Sequence, residues 1–99
     1  RNAFGRAVHD AMEAAGLAYF MGRGVPEDLS LAAEWFRRAG NAGAVGSQFI
    51  LASLYEKGQG VPQDLRLARN WYERAAAQGD EAAKAKLQVL PQEPLTTPL

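Results

Sequence analysis

The chain contains no cysteine, so disulfide staples and thiolate zinc sites are excluded and the redox compartment stays open. Histidine is almost as scarce, with His9 the single example. Neither sign of charge is in excess, since eleven Lys and Arg face eleven Asp and Glu. Without a basic block, nucleic acid is not expected as the main ligand, and an electrostatic membrane anchor is equally unsupported. No apolar run approaches the ~20 residues that a membrane span requires. The chain opens at Arg1 rather than Met, as a trimmed or processed product does, so a missing leader says nothing about compartment.

What the chain does contain is itself, twice. Residues 22–43 and 58–79 superimpose with a constant shift of 36, giving 12 identities in 22 positions. Gly22, Gly24, Val25, Pro26, Asp28, Leu29, Leu31, Ala32, Trp35, Arg38, Ala39 and Gly43 return as Gly58, Gly60, Val61, Pro62, Asp64, Leu65, Leu67, Ala68, Trp71, Arg74, Ala75 and Gly79. A period of this size means stacked units, each unable to bury its apolar face alone.

The units read as helical. Phe4, Val8, Ala11, Ala15 and Tyr19 recur at steps of three and four, so the spacing predicts one core stripe on a helix that ends before Gly22. Pro26 disfavours helix at Val25, and Asp28 is a natural cap for a second helix. The buried stripe of that helix is expected at Leu31, Ala32, Trp35, Phe36 and Ala39. The cycle restarts with a helix over 44–57 (core positions Gln48, Leu51, Ala52 and Tyr55), and Asp64 caps another running to about Gln78. Asp80 caps a fifth helix through about Leu90, before Pro91, Pro94 and Pro98 end regular structure. Both Trp35 and Trp71 are expected inside, next to small residues that let helices approach.

Chemistry-bearing patterns are absent. His9 adjoins Asp10, but consecutive helix residues point about 100° apart and do not form a dyad. Ser30, Ser47 and Ser53 have no histidine in register, and the Gly22 and Gly58 loops lack the Lys-Ser/Thr ending and preceding strand of a phosphate loop. The carboxylates at Glu27/Asp28 and Asp80/Glu81 sit at helix starts, where the dipole explains them. No catalytic residue, cofactor or metal ligand is assigned.

The string G-x-G-V-P-x-D-x-x-x-A-x-x-W-(F/Y)-x-x-A, with a glycine four residues on, resembles the Sel-like repeat (SLR) family, relatives of tetratricopeptide repeats. The resemblance covers about residues 11–90 and rests on GRGVPEDLSLAAEWFRRAGNAG and GQGVPQDLRLARNWYERAAAQG. It implies an all-α fold, an α/α superhelical solenoid of about two and a half helix-turn-helix repeats. The expected layout is a helical domain over 1–90, with units at about 11–43 and 47–79, a capping helix at about 80–90 and an extended Pro-rich tail over 91–99. One departure is the first-helix glycine, present as Gly16 but replaced by Ala52 and Gln88. The cysteine-rich branch of the family is excluded by composition.

SLR proteins are commonly adaptors and scaffolds, so the resemblance implies a non-enzymatic protein or peptide binder. Two alternatives stand beside it: an accessory or hydrolase related to cell-wall-associated members, and a structural spacer that self-associates through its end faces or tail. In tetratricopeptide-like stacks the first helix of each pair lines the concave surface. The positions implied here are Asp10, Glu13, Leu17, Phe20 and Met21, then Gly46, Phe49, Ser53, Glu56 and Lys57. Leu17, Phe20, Met21 and Phe49 are apolar where the fold has no evident need of them, as at a partner site. Glu13, Ser53, Glu56 and Lys57 would supply polar edges. The competing reading packs these residues against another repeat, or Phe20 over its own loop. In the tail, Leu95 and Leu99 are candidate anchors for the groove of the same or a neighbouring molecule.

Overall fold

Five α-helices and no strand occupy residues 3–91, which the computed structural model describes: α1 (Ala3–Met21), α2 (Leu29–Asn41), α3 (Val45–Lys57), α4 (Leu65–Ala77) and α5 (Glu81–Val89). The Phe4 side chain and residues 92–99, with Leu95 and Leu99, lie outside the described residues. Each helix packs on the next in the chain, the antiparallel stacking of an α/α solenoid.

Aspartates cap the starts of α2, α4 and α5, whereas α3 begins at Ala44 with no side-chain cap. Asp28 Oδ1 accepts from the Leu31 amide at 3.1 Å, Asp64 Oδ1 from Leu67 at 3.0 Å, and Asp80 Oδ2 from Ala83 at 3.0 Å. Each bond satisfies an amide that the first turn leaves without a partner. The loops before Asp28 and Asp64 share one conformation: the caps sit at φ −153° and −154°, and Asp28 and Asp64 each donate an amide to the carbonyl of Tyr19 or Tyr55 at 2.9 Å. Sequence identity at these positions is therefore identity of backbone.

The interior is built from Phe36, Leu51, Leu54 and Tyr72, with Ala32, Ala39, Ala68 and Ala75 admitting close helix approach. Gly16 belongs to this packing, because a Cβ there would stand 2.7 Å from the Phe36 ring. Gln48, Leu51, Ala52 and Tyr55 of α3 are buried, as their spacing predicts.

The first helix differs from its expected pattern. Val8 is 40% exposed, Ala11 is exposed, and Ala15 and Tyr19 are half-buried. One period later Ala44, Ser47, Leu51 and Tyr55 are all buried, because α2 lies over α3. No described helix holds that place before α1, so the stripe is a helical face covered only toward Tyr19. What α1 turns inward is Gly16, with Leu17, Tyr19 and Phe20 packed against the core. The same cause corrects α2. Leu31 is 38% exposed and Trp35 half-buried, whereas Trp71 is 8% exposed. Trp71 rests on Gly40 of α2, where a Cβ would be 3.0 Å from the indole; among the described residues no helix occupies the equivalent place beside Trp35.

Candidate interaction face

The leading helices α1, α3 and α5 each bury one side against their neighbours and leave another side open. On α1 the open side runs Asp10, Glu13, Ala14, Leu17 and Met21; on α3 it runs Gly46, Phe49, Ile50, Ser53 and Lys57. Both follow the i, i+3, i+4, i+7, i+11 spacing of one helical stripe. On α5 the same register holds Ala82, Ala85, Lys86 and Val89. All of these residues are exposed or half-buried, and Met21 (53%) and Val89 (73%) are among the most exposed large apolar side chains of the described residues.

Glu13, Leu17, Met21, Phe49, Ser53 and Lys57 lie on these open sides, but most of the apolar ones also work for the fold. Leu17 and Phe49 pack partly against the core, with the Phe49 ring set edge-on to Tyr72 at 5.3 Å. Phe20 turns further in, meeting Phe36 edge-on at 6.2 Å. The idea that these side chains have no packing role is therefore corrected, and Met21 alone of the four is largely free. Ile50 and Val89 join the face without having stood out in the sequence. Ile50 is matched one period earlier by the small Ala14, and α5 carries too little of the motif to mark Val89.

Polar groups knit the leading helices together. Ser47 Oγ donates to Glu13 Oε2 at 3.0 Å, joining α3 to α1, and Gly46 leaves room for the Glu13 carboxylate beside it. Glu56 does not face outward as an edge charge. It accepts from Tyr72 Oη at 2.7 Å and pairs with Lys86 Nζ at 3.2 Å, tying α3 to α4 and α5. Burial works to raise the Glu56 pKa, but the bonds from Tyr72 and Lys86 outweigh it and hold the carboxyl below its ordinary range. Burial, then the bond to the Glu56 carboxylate and its charge, push the Tyr72 hydroxyl well above its usual range. Ser53 is half-buried on α3, and Lys57 is exposed at the end of that helix.

His9 is half-buried near Gly43. No group of three or more His, Cys, Asp or Glu that could hold a metal ion occurs among the described residues. None of the described helices is long and apolar enough to cross a membrane.

Comparison with known proteins gives this geometry a family. The Sel1 repeat model matches residues 9–43 and 45–80. A Sel1 repeat protein from Oxalobacter formigenes has a similar structure, with TM-score 0.79 and 48% identity over 81% of this chain and 60% of that one. A protective antigen of uropathogenic Escherichia coli strains with an SLR fold matches with TM-score 0.76 and 32% identity, over 80% of this chain. The chain spans 60% of the first and 17% of the second of these proteins. No curated protein matches. Sel1 repeats are a protein-interaction repeat type and generally serve as non-catalytic scaffolds. With two units matched over 9–43 and 45–80 and the similarities above, the chain belongs to the Sel1 repeat family.

Proposed function

We propose that this chain is a non-enzymatic adaptor that binds a peptide or partner helix across the open face of α1, α3 and α5. The observation that carries this reading is the exposure of Met21, Val89 and, in part, Ile50 on the open sides of the leading helices. Exposed apolar side chains at matching register favour a partner over water. Leu17 and Phe49, half-buried, lie on the same open sides. Asp10 and Glu13 lie toward the start of the face and Lys57 at its far end, so a bound segment would meet acidic and basic groups at opposite ends. That polarity favours one direction of binding.

The test uses a displayed peptide library selected on the full chain and on its Met21→Asp, Val89→Asp variant. Both side chains are mostly in water, so helicity is expected to be unchanged. Peptides enriched on the parent should lose binding to the variant at least tenfold. Equal binding to both, or no enrichment on the parent, overturns the proposal.

A further inference from the structure

The contact between the two repeats inside the chain has a donor side and a receiving side. On the donor side, the Trp71 indole rests on Gly40, the loop at Gly60 presses on the Leu29 backbone, and Tyr55 meets Arg37 at 2.8 Å. One period earlier the donor set exists again as Trp35, Gly24 and Tyr19. Here Trp35 and Tyr19 are half-buried, and a Cβ on Gly24 would meet nothing within 4 Å. One period later the receiving set exists again as Ala76, Leu65 and Glu73, with Leu65 36% exposed. One end of the molecule therefore carries the shape that the other end is laid out to receive.

We infer that a second copy of this chain docks head to tail, its α1–α2 end on α4, and that α5 restrains this association by holding the place of the incoming α1. The register supports the second clause. Residues 81–89 are 45–53 shifted by 36, so α5 sits on α4 as α3 sits on α2. An incoming α1 and α5 compete for one site.

The grip of α5 is the weaker of the two. Within it only Ala83 is buried, with Leu90 just beyond. It is latched by the Lys86–Glu56 pair and by Arg69 Nη2, which donates to the carbonyls of Leu90 at 3.3 Å and Pro91 at 3.0 Å. The incoming α1 offers Met12, Ala15 and Tyr19 where α5 has Lys84, Leu87 and Pro91. It also brings the Trp35 indole and the Gly24 loop, for which α5 has no counterpart. Glu73 replaces Arg37 in the receiving set, and a tyrosine hydroxyl serves either, accepting from the guanidinium or donating to the carboxylate. Ala76 in place of Gly40 asks the indole to shift by a few tenths of an ångström. A donor end that fits a different surface elsewhere on the same molecule makes a heterologous contact, which extends rather than closes.

The absence of cysteine makes the test direct. Inside the chain Arg74 reaches Asn41 at 3.2 Å through the full length of its side chain, so across copies residue 38 of one chain faces residue 77 of the next at arginine-length separation, too far for a direct disulfide. Full-length Arg38→Cys and Ala77→Cys chains, each with one thiol at an exposed position, are mixed and joined with a flexible bis-maleimide. A cross-linked heterodimer in excess of either homodimer is expected. Lys86→Glu in the Ala77→Cys chain, which sets like charges against each other at Glu56, should raise the yield severalfold. Trp35→Ala in the Arg38→Cys chain should abolish it. A heterodimer yield no greater than the homodimer yields in the loosened background, with helicity intact, overturns the inference, as does indifference to Trp35→Ala. If Lys86→Glu loses helicity, Lys86→Gln is judged by the same outcomes.

Discussion

At the scale of single residues, one hydroxyl separates the two repeats. Phe36 and Tyr72 are equivalent and both fully buried, but Phe36 faces Phe20 and Tyr72 faces Glu56. The change from an apolar edge-to-face pair to a donor and a carboxylate is made on both partners, so neither polar atom is stranded. The Glu56 pKa lies below the ordinary carboxyl value of 4.5. A carboxyl depressed in the folded state contributes stability that is present above its unfolded pKa and lost as pH falls through the folded one. Thermal unfolding of the parent should therefore lose more stability than Glu56→Gln as pH is taken from about 6 to about 3; equal losses would remove Glu56 from the acid response. The tryptophans give a second comparison. Trp71→Ala should cost about 3–5 kcal/mol, as for a buried ring, whereas Trp35→Ala, half in water, should cost less than about 2 kcal/mol. Denaturant midpoints of the two variants decide this, and equal costs would contradict the difference in burial.

At the scale of elements, the loop is the part of the repeat most faithfully copied in shape, yet its two copies work against different surroundings. Gly24 and Gly60 share φ +77°, a region that costs an L-residue roughly 1 kcal/mol. A Cβ at Gly24 meets open space, while one at Gly60 collides with the Leu29 carbonyl of the preceding repeat. Gly24→Ala should thus cost about 1 kcal/mol and Gly60→Ala clearly more, since the loop must also lift off α2. Chemical denaturation reads both, and a Gly24→Ala cost equal to that of Gly60→Ala would mean the loop–helix contact contributes nothing. The helices themselves were legible because their signals are local: Asp28, Asp64 and Asp80 cap where a lone aspartate before a periodic run predicts, and glycines close α1 and α3. α5 is short; of its expected wet side Glu81, Lys84 and Gln88 are exposed, whereas Lys86 is half-buried in its pair with Glu56.

At the scale of the whole molecule, position in the stack overrides residue identity. Leu31 and Leu67, Trp35 and Trp71, Leu29 and Leu65 are the same residues in the same local structure, and each pair differs in exposure because, among the described residues, one member has a neighbouring repeat and the other does not. This is how a nearest-neighbour solenoid distributes its stability. The candidate face follows the same logic. Met21 and Lys57 could be placed on it from periodicity, but Phe20 and Glu56 could not be told from them, because one step around a helix separates the open side from the side that meets the paired helix. Periodicity and capping residues determined the repeat, the five helices and the three aspartate caps, and the loop motif carried the resemblance to the family, since all of these depend on residues close in the chain or on a constant shift of 36. Only the tertiary structure decided which stripe of α1 is covered, which tryptophan is enclosed and which apolar side chains remain for a partner. Those outcomes depend on whether another helix stands alongside, and spacing within one helix carries no information about its neighbours.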